Sequence, residues 1–292
     1  MLQYIWIPLT LLCGLFKGSR ELLKKKALDF NTGLEILLLY SISTFILVLP
    51  NTAKAFILDE WWIYLAIAGK TLCVFIAWIC GFAALKRMPV SIYGILDLST
   101  VIFSTAFAVL FVGEVLSFTV IIGIVLVCVG LFLLKFQPKQ KDINSTQQNQ
   151  MPQFRYILLA FGYTAFNSAS ATIDKLLLRN DTVSSTQLQY WFMVMLCAFY
   201  CLYFILRRIK VNWKTALKNY RIYIMAILLI LADKANFIAN SMDSSVTVMT
   251  LIKQSSCIVV IVGGRIFFKE KNLLYKLLCA VIIIVGIVIS TL

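Results

Sequence analysis

The 292 residues are 61% hydrophobic and 14% charged, and the mean hydropathy is +0.90. A soluble domain of this length could not cover so much apolar surface, whereas a bilayer can. A net charge of +14 invites a nucleic-acid reading, but the placement of the basic residues argues for a membrane surface instead.

In chain order, apolar blocks predict helices over 3–23, 34–50, 62–85, 90–112, 118–135, 154–175, 187–207, 220–241, 246–268 and 275–291, most of them long enough to cross a hydrocarbon core. The first block carries Gly14, Lys17, Gly18 and Glu21. It ends among Arg20, Lys24, Lys25 and Lys26, which is too polar for a cleavable signal peptide. Trp61 and Trp62 stand at the start of the third block as interfacial anchors, as Trp213 does later, and Trp78 lies inside that block. The fourth places Tyr93, Asp97, Thr100 and Ser104 on one helical face. Segment 136–153 is rich in Gln, Asn and Lys, without apolar periodicity, and reads as a linker. Beyond it, the sixth block offers Asn167, Ser170 and Asp174. The eighth offers Asp233, Asn236 and Asn240, and the ninth Thr247, Thr250, Lys253, Gln254 and Cys257. A charge at the centre of a membrane helix costs ~2.5–3.5 kcal/mol on insertion scales, so these residues are expected to face a cavity or each other.

With the loops numbered by the helices they join, twenty lysines and arginines fall in odd-to-even loops. Only three (Lys54, Lys175 and Arg179) fall on the opposite side. The bias puts the odd-to-even loops in the cytoplasm and both termini outside. The eight cysteines all lie in apolar blocks without metal-ligand spacing, and the absence of histidine excludes a mixed Cys/His site. Asn144-Ser145-Thr146 and Asn180-Asp181-Thr182 match the glycosylation pattern, which matters only in a eukaryotic secretory compartment.

An internal repeat appears at an offset of 156 residues, where 83–134 lies over 239–290. Val90 falls on Val246, Ser99 on Ser255, Phe111 on Phe267, Glu114 on Glu270 and Gly130 on Gly286. Each half holds an odd number of helices, so the second enters the membrane with opposite orientation. The expected fold is an all-α integral membrane protein of ten transmembrane helices in two inverted five-helix repeats: 1–136, a linker loop over 137–153, and 154–292. The same offset sets Asp97 opposite Lys253, an expected pair of charges across the pseudo-two-fold axis.

Three stretches carry a family resemblance: Ala83-Ala84-Leu85-Lys86-Arg87-Met88-Pro89 before the fourth helix, Val112-Gly113-Glu114 before the fifth, and Phe268-Lys269-Glu270 before the tenth. With the five-plus-five pattern, the chain resembles the drug/metabolite transporter superfamily in its ten-helix EamA-like branch. The resemblance implies helices one to four and six to nine around a central cavity, with five and ten packed behind. Small multidrug members use a glutamate deep in the first helix, where this chain has Gly14 and Lys17, so a proton-coupled cationic drug exporter does not fit. Sugar-phosphate carriers of the superfamily look similar in placing a basic residue on the ninth helix, as Lys253 does. Their adjacent second base is Gln254 here, which turns the expectation towards a carboxylate or zwitterion.

The expected function is a secondary transporter that moves a small, polar, anionic or zwitterionic, amino-acid-like metabolite by alternating access. Lys17, Tyr93, Asp97, Asn236 and Lys253 are the expected substrate-binding residues, and Asp174 and Asp233 the expected coupling carboxylates. The only cofactor expected is a proton as coupling ion. The expected partners are a small-molecule substrate and the lipid bilayer, without nucleic acid, for a monomer or homodimer in the plasma (inner) membrane. The alternative is a flippase, or flippase subunit, for a lipid-linked sugar in envelope synthesis. A third class, an intramembrane enzyme, is not expected, since there is no histidine, no metal-ligand cluster and no nucleophile–base spacing.

Overall fold

A computed structural model describes residues 5–56, 58, 60–115, 117–134, 153–179, 182–242, 245–270 and 272–291. Of the expected linker only Gln153 lies within them, and Asn144-Ser145-Thr146 and Asn180-Asp181 lie outside. Regular structure among the described residues is helical throughout, with no strand. The principal helices are α1 (Trp6–Ala27), α2 (Gly33–Asn51), α3 (Trp61–Arg87), α4 (Val90–Val112), α5 (Phe118–Leu134), α6 (Phe154–Leu178), α7 (Ser185–Arg207), α8 (Tyr220–Ser241), α9 (Val246–Phe268) and α10 (Leu273–Thr291). Six of them, α2, α3, α4, α7, α8 and α9, are long and apolar enough to cross a membrane. α1 and α6 are as long but less apolar, α1 through its charges and α6 through a run of hydroxyl and amide side chains, because each turns a polar face inward.

Local sequence signals account for several helix ends. α2 and α7 both begin in capping boxes, Thr32 with Glu35 and Ser184 with Gln187, which satisfy otherwise unpaired backbone donors reciprocally. α4 and α9 both end on a residue in the left-handed region, Gly113 (φ 77°) and Lys269 (φ 52°). In each the next amide closes a seven-residue turn, Glu114 N donating to Ala108 O (3.1 Å) and Glu270 N to Gly264 O (3.2 Å). The left-handed residue turns the chain so that the glutamate after it reaches the opposite half.

Both α4 and α9 are interrupted near the middle. In α4, Leu98 N donates to Ile95 O and Ser99 N to Leu96 O; in α9, Gln254 N donates to Leu251 O and Ser255 N to Ile252 O. These are i→i−3 bonds, a tightened turn within an α-helix that often marks a hinge or functional site. Asp97 and Lys253 close the first helical piece in the two cases.

The sequence reading ends the first helix at residue 23, but α1 runs on to Ala27 with Arg20, Glu21 and Lys24 buried inside the protein. Lys24 Nζ pairs with Glu21 at 2.6 Å and lies 6.0, 5.5 and 6.0 Å from the ring centroids of Trp78, Phe82 and Tyr163. The carboxylate and the aromatic faces together hold a charge that would otherwise seek water. Lys175, counted above among the outer loops, is likewise buried within α6. Two lysines near the ends of α1 and α6 do matching work. Lys25 donates to Leu85 O and Met88 O at the C-terminal end of α3 (2.6 and 2.8 Å), and Lys175 donates to Asn240 O and Met242 O at the C-terminal end of α8 (3.0 Å each). Each binds carbonyls that a helix C-terminus leaves unpaired.

α1 packs along α8 and α9, α6 packs in the corresponding way along α3 and α4, and α5 packs on α10. Two different seams serve the equivalent crossings. A Cβ on Gly14 would meet Ser255 Oγ at 2.5 Å and Lys253 O at 2.9 Å, so only glycine lets α1 seat against the interruption in α9. At the α6–α4 crossing the seam is hydroxylic: Ser99 and Thr164 hydrogen-bond at 3.0 Å, and Ser104 donates to Ser168 at 3.2 Å. Trp61, Trp62 and Trp213 stand exposed at the starts of their helices.

Candidate functional site

α1, α3, α4, α6, α7, α8 and α9 enclose a cavity of ≈ 160 Å³, and among the described residues α5 and α10 contribute nothing to its wall. Its charged lining is Lys17, Arg20, Lys70 and Lys253 against Asp97, Asp174 and Asp233. The polar stripes read from sequence supply much of the rest: Thr100 and Ser104 from α4, Asn167 and Ser170 from α6, Asn236 from α8, Thr250 and Gln254 from α9.

The expected pairing of Asp97 with Lys253 is replaced by another. Asp97 Oδ2 pairs with Lys17 Nζ at 2.5 Å, and Thr100 Oγ1 donates to its other oxygen at 3.3 Å. Lys253 Nζ donates to Asn236 Oδ1 at 3.0 Å. The reason lies in α1. Gly14 lets that helix seat directly on the Lys253 backbone, and Lys17, one turn further along, is carried up to the interrupted end of α4.

Asp174 is one of the two expected coupling carboxylates. In the fold it forms an ion pair with Lys70 of α3, and both residues are buried. Lys70 also lies over Phe192 and Phe237, 4.2 and 4.8 Å from their centroids. Tyr93 stands one layer back from the cavity, its ring packed on Tyr163 with 5.6 Å between centroids, and Tyr163 provides the lining surface. Trp78, inside the third apolar block, lines the cavity.

Sequence reasoning missed Arg20 and Lys70. A signal for Arg20 existed in its spacing from Cys13 and Lys17, which share its helical face; for Lys70, in its being the one base in the middle of the third apolar block.

Two pairs, Lys17–Asp97 and Lys70–Asp174, neutralise themselves. The other charges do not. Arg20 is buried with Nε and Nη1 unpartnered, and Gln254 is buried with both side-chain polar atoms unpartnered. Asp233 lies within the electrostatic reach of Arg20, Lys70, Asp174 and Lys253. Among the described residues it makes no hydrogen bond and has no cation within 4.0 Å. A wall with unspent charges of both signs is suited to a ligand that carries charge of its own.

Residues 4–136 match the model of the EamA-like transporter family, consistent with a member of the drug/metabolite transporter superfamily. Members of that family are membrane transporters of small molecules, in accord with the apolar helices here. Comparison with curated proteins finds no match. A crystal structure described only as that of a protein aligns with 98% of this chain and 96% of its own, with a TM-score of 0.68 at 14% identity. At that identity the likeness shows the fold alone.

Proposed function

We propose that the protein is a secondary transporter in which two inverted five-helix halves alternate access to the charged cavity, carrying a small anionic or zwitterionic metabolite. The observation that carries this reading is the cavity itself. It is small, lined by seven charged side chains and walled by the helices of both halves, and its charges are only partly matched. A void of ~150 Å³ holds a molecule the size of benzene, so the volume suits a compact metabolite better than a lipid-linked sugar. The matching interruptions of α4 and α9 support the repeat, and each brings a tightened turn to the wall of the site.

In this reading Lys253, held by Asn236, offers its charge to the substrate, and Arg20 joins it. Lys17 and Asp97 occupy one another and frame the site. Asp174 is the coupling carboxylate, since a proton there would release Lys70 and loosen α6 from α3. With the buried Arg20, Lys24 and Lys276 counted inside, 17 of the 20 bases remain on the cytoplasmic side, and both termini face outside a plasma membrane. The test is uptake into proteoliposomes of a panel of amino acids, phosphorylated sugars and amines, with and without a pH gradient. Accumulation of a charged metabolite is the expected result. Scrambling of a lipid-linked sugar without uptake of any soluble compound would favour the flippase.

A further inference from the structure

We infer that the substrate is an acidic amino acid, a compact molecule with two carboxylates and one ammonium group; this deepens, and rests on, the transport reading above. The argument is a charge match made group by group. After the two internal pairs are set aside, the cavity keeps two cations, Arg20 and Lys253, and one carboxylate, Asp233. A dicarboxylic amino acid carries the complementary set and a net charge of −1, against a lining whose seven charges sum to +1.

Burial makes the match demanding. Arg20 is 8% exposed, and two of its guanidinium nitrogens have no acceptor. A guanidinium is a planar fork suited to two carboxylate oxygens, and leaving its donors unpaired in a buried place is costly. Gln254, 1% exposed, adds an unpartnered amide next to Lys253. Arg20 and Gln254 therefore form one recognition surface with Lys253, drawn from α1 and α9, the two helices that Gly14 brings into contact. Asp233, on α8, faces the same space and supplies the counter-charge for an ammonium group.

A monocarboxylate would balance the net charge but leave either Asp233 or a cation without a partner. A dicarboxylate without an amine would leave Asp233 facing added negative charge. A neutral amino acid would leave one cation unmatched. A site built with fixed polar groups rejects analogues that fail to satisfy them.

The experiment measures uptake into proteoliposomes of L-aspartate, L-glutamate, succinate, L-alanine and glucose 6-phosphate by wild-type protein, R20Q and D233N. Wild type should take up aspartate or glutamate roughly tenfold or more faster than succinate and alanine. D233N should lose the preference for the amino dicarboxylate over succinate, and R20Q the preference for the acidic over the neutral amino acid. Such exchanges of selectivity are not produced by a general loss of folding. Where R20Q fails to fold, R20K keeps the charge without the fork and should narrow the same ratio. Wild-type uptake of alanine, succinate or glucose 6-phosphate in preference to the acidic amino acids overturns this proposal and leaves transport standing. Uptake of none of them by protein that melts cooperatively overturns the proposal and the reading beneath it together.

Discussion

Glu114 and Glu270 each cap a helix of the opposite half. Glu114, which follows α4, accepts hydrogen bonds from Val246 N (2.8 Å), Ser245 Oγ (3.2 Å) and Thr247 Oγ1 (2.6 Å) at the start of α9. Glu270, which follows α9, accepts from Val90 N (2.7 Å) and Ser91 N (3.3 Å) at the start of α4. The two glutamates are offset from one another by 156 residues, and so are the two donors Val90 and Val246. The arrangement ties the exit of each interrupted helix to the entry of the other, so α4 and α9 are linked at both ends while their middles face the cavity. A carboxylate at a helix N-terminus satisfies unpaired amides and the positive end of the helix dipole together.

Removing either cap should lower stability, with a definite order. E114A leaves the buried Val246 amide without its acceptor, a loss of ~1–3 kcal/mol. E270A loses the equivalent bond and also strips the buried Lys276 of its carboxylate, 2.9 Å away. Melting in detergent should therefore place E270A below E114A, and both below the parent chain. An E114A protein that melts with the parent would show that the cap contributes nothing.

Asp174 offers a test of coupling. Its bond to Lys70 joins α6 to α3 in a setting closed by Phe192 and Phe237. A permanently neutral side chain mimics the protonated state, so D174N should transport at a rate no longer raised by an imposed pH gradient. The paired variant K70Q/D174N removes both charges and should fold better than K70Q alone, which strands a buried carboxylate. Uptake by D174N that still accelerates fully with the gradient would exclude Asp174 as the coupling group.

Much of the frame was legible in the chain, because bilayer-crossing helices must be apolar over a fixed length and the bounds of α2, α4, α8 and α9 follow from that. Glu114 and Glu270 were visible as punctuation at matched positions, yet what they bind was not, since a cap to a helix 132 residues away has no local signature. Arg20 was misread for a specific reason. It sits in a run of charges at the end of an apolar block, a pattern that ordinarily means a solvated loop, and only the cage around Lys24 shows how α1 continues inward. The partner of Asp97 was out of reach too. It depends on how closely α1 seats, and that is decided by the contact at Gly14.

The orientation of the bundle can be read at one exposed position. Lys214 lies on the short helix Trp213–Lys218 between α7 and α8, in a stretch that also carries Arg207, Arg208, Lys210 and Lys218. The orientation proposed from the basic bias puts this stretch in the cytoplasm. A single cysteine at Lys214, in a chain otherwise free of cysteine, should be protected from a membrane-impermeant thiol reagent in intact cells and react once they are opened. Rapid labelling in intact cells would invert the assignment.

The pairing around the cavity can be settled by a set of neutral substitutions. Lys17 and Asp97 are in contact at 2.5 Å, with side chains 17% and 7% exposed, whereas Lys253 reaches Asn236. Breaking a buried pair from one side strands a charge at a cost of ~3–5 kcal/mol, and the partial exposure of Lys17 places this case at the lower end. K17Q and D97N should each reduce membrane abundance and melting temperature, and K17Q/D97N should recover most of both, as residues in direct contact couple non-additively. K253Q should behave differently: with no carboxylate tied to it, the variant should reach the membrane at near-normal abundance and lose uptake. Combining K253Q with D97N should give the sum of the two separate effects. Recovery of stability by K253Q/D97N, in place of K17Q/D97N, would mean that Asp97 pairs across the two halves and that Lys253 is not the cation offered to the substrate.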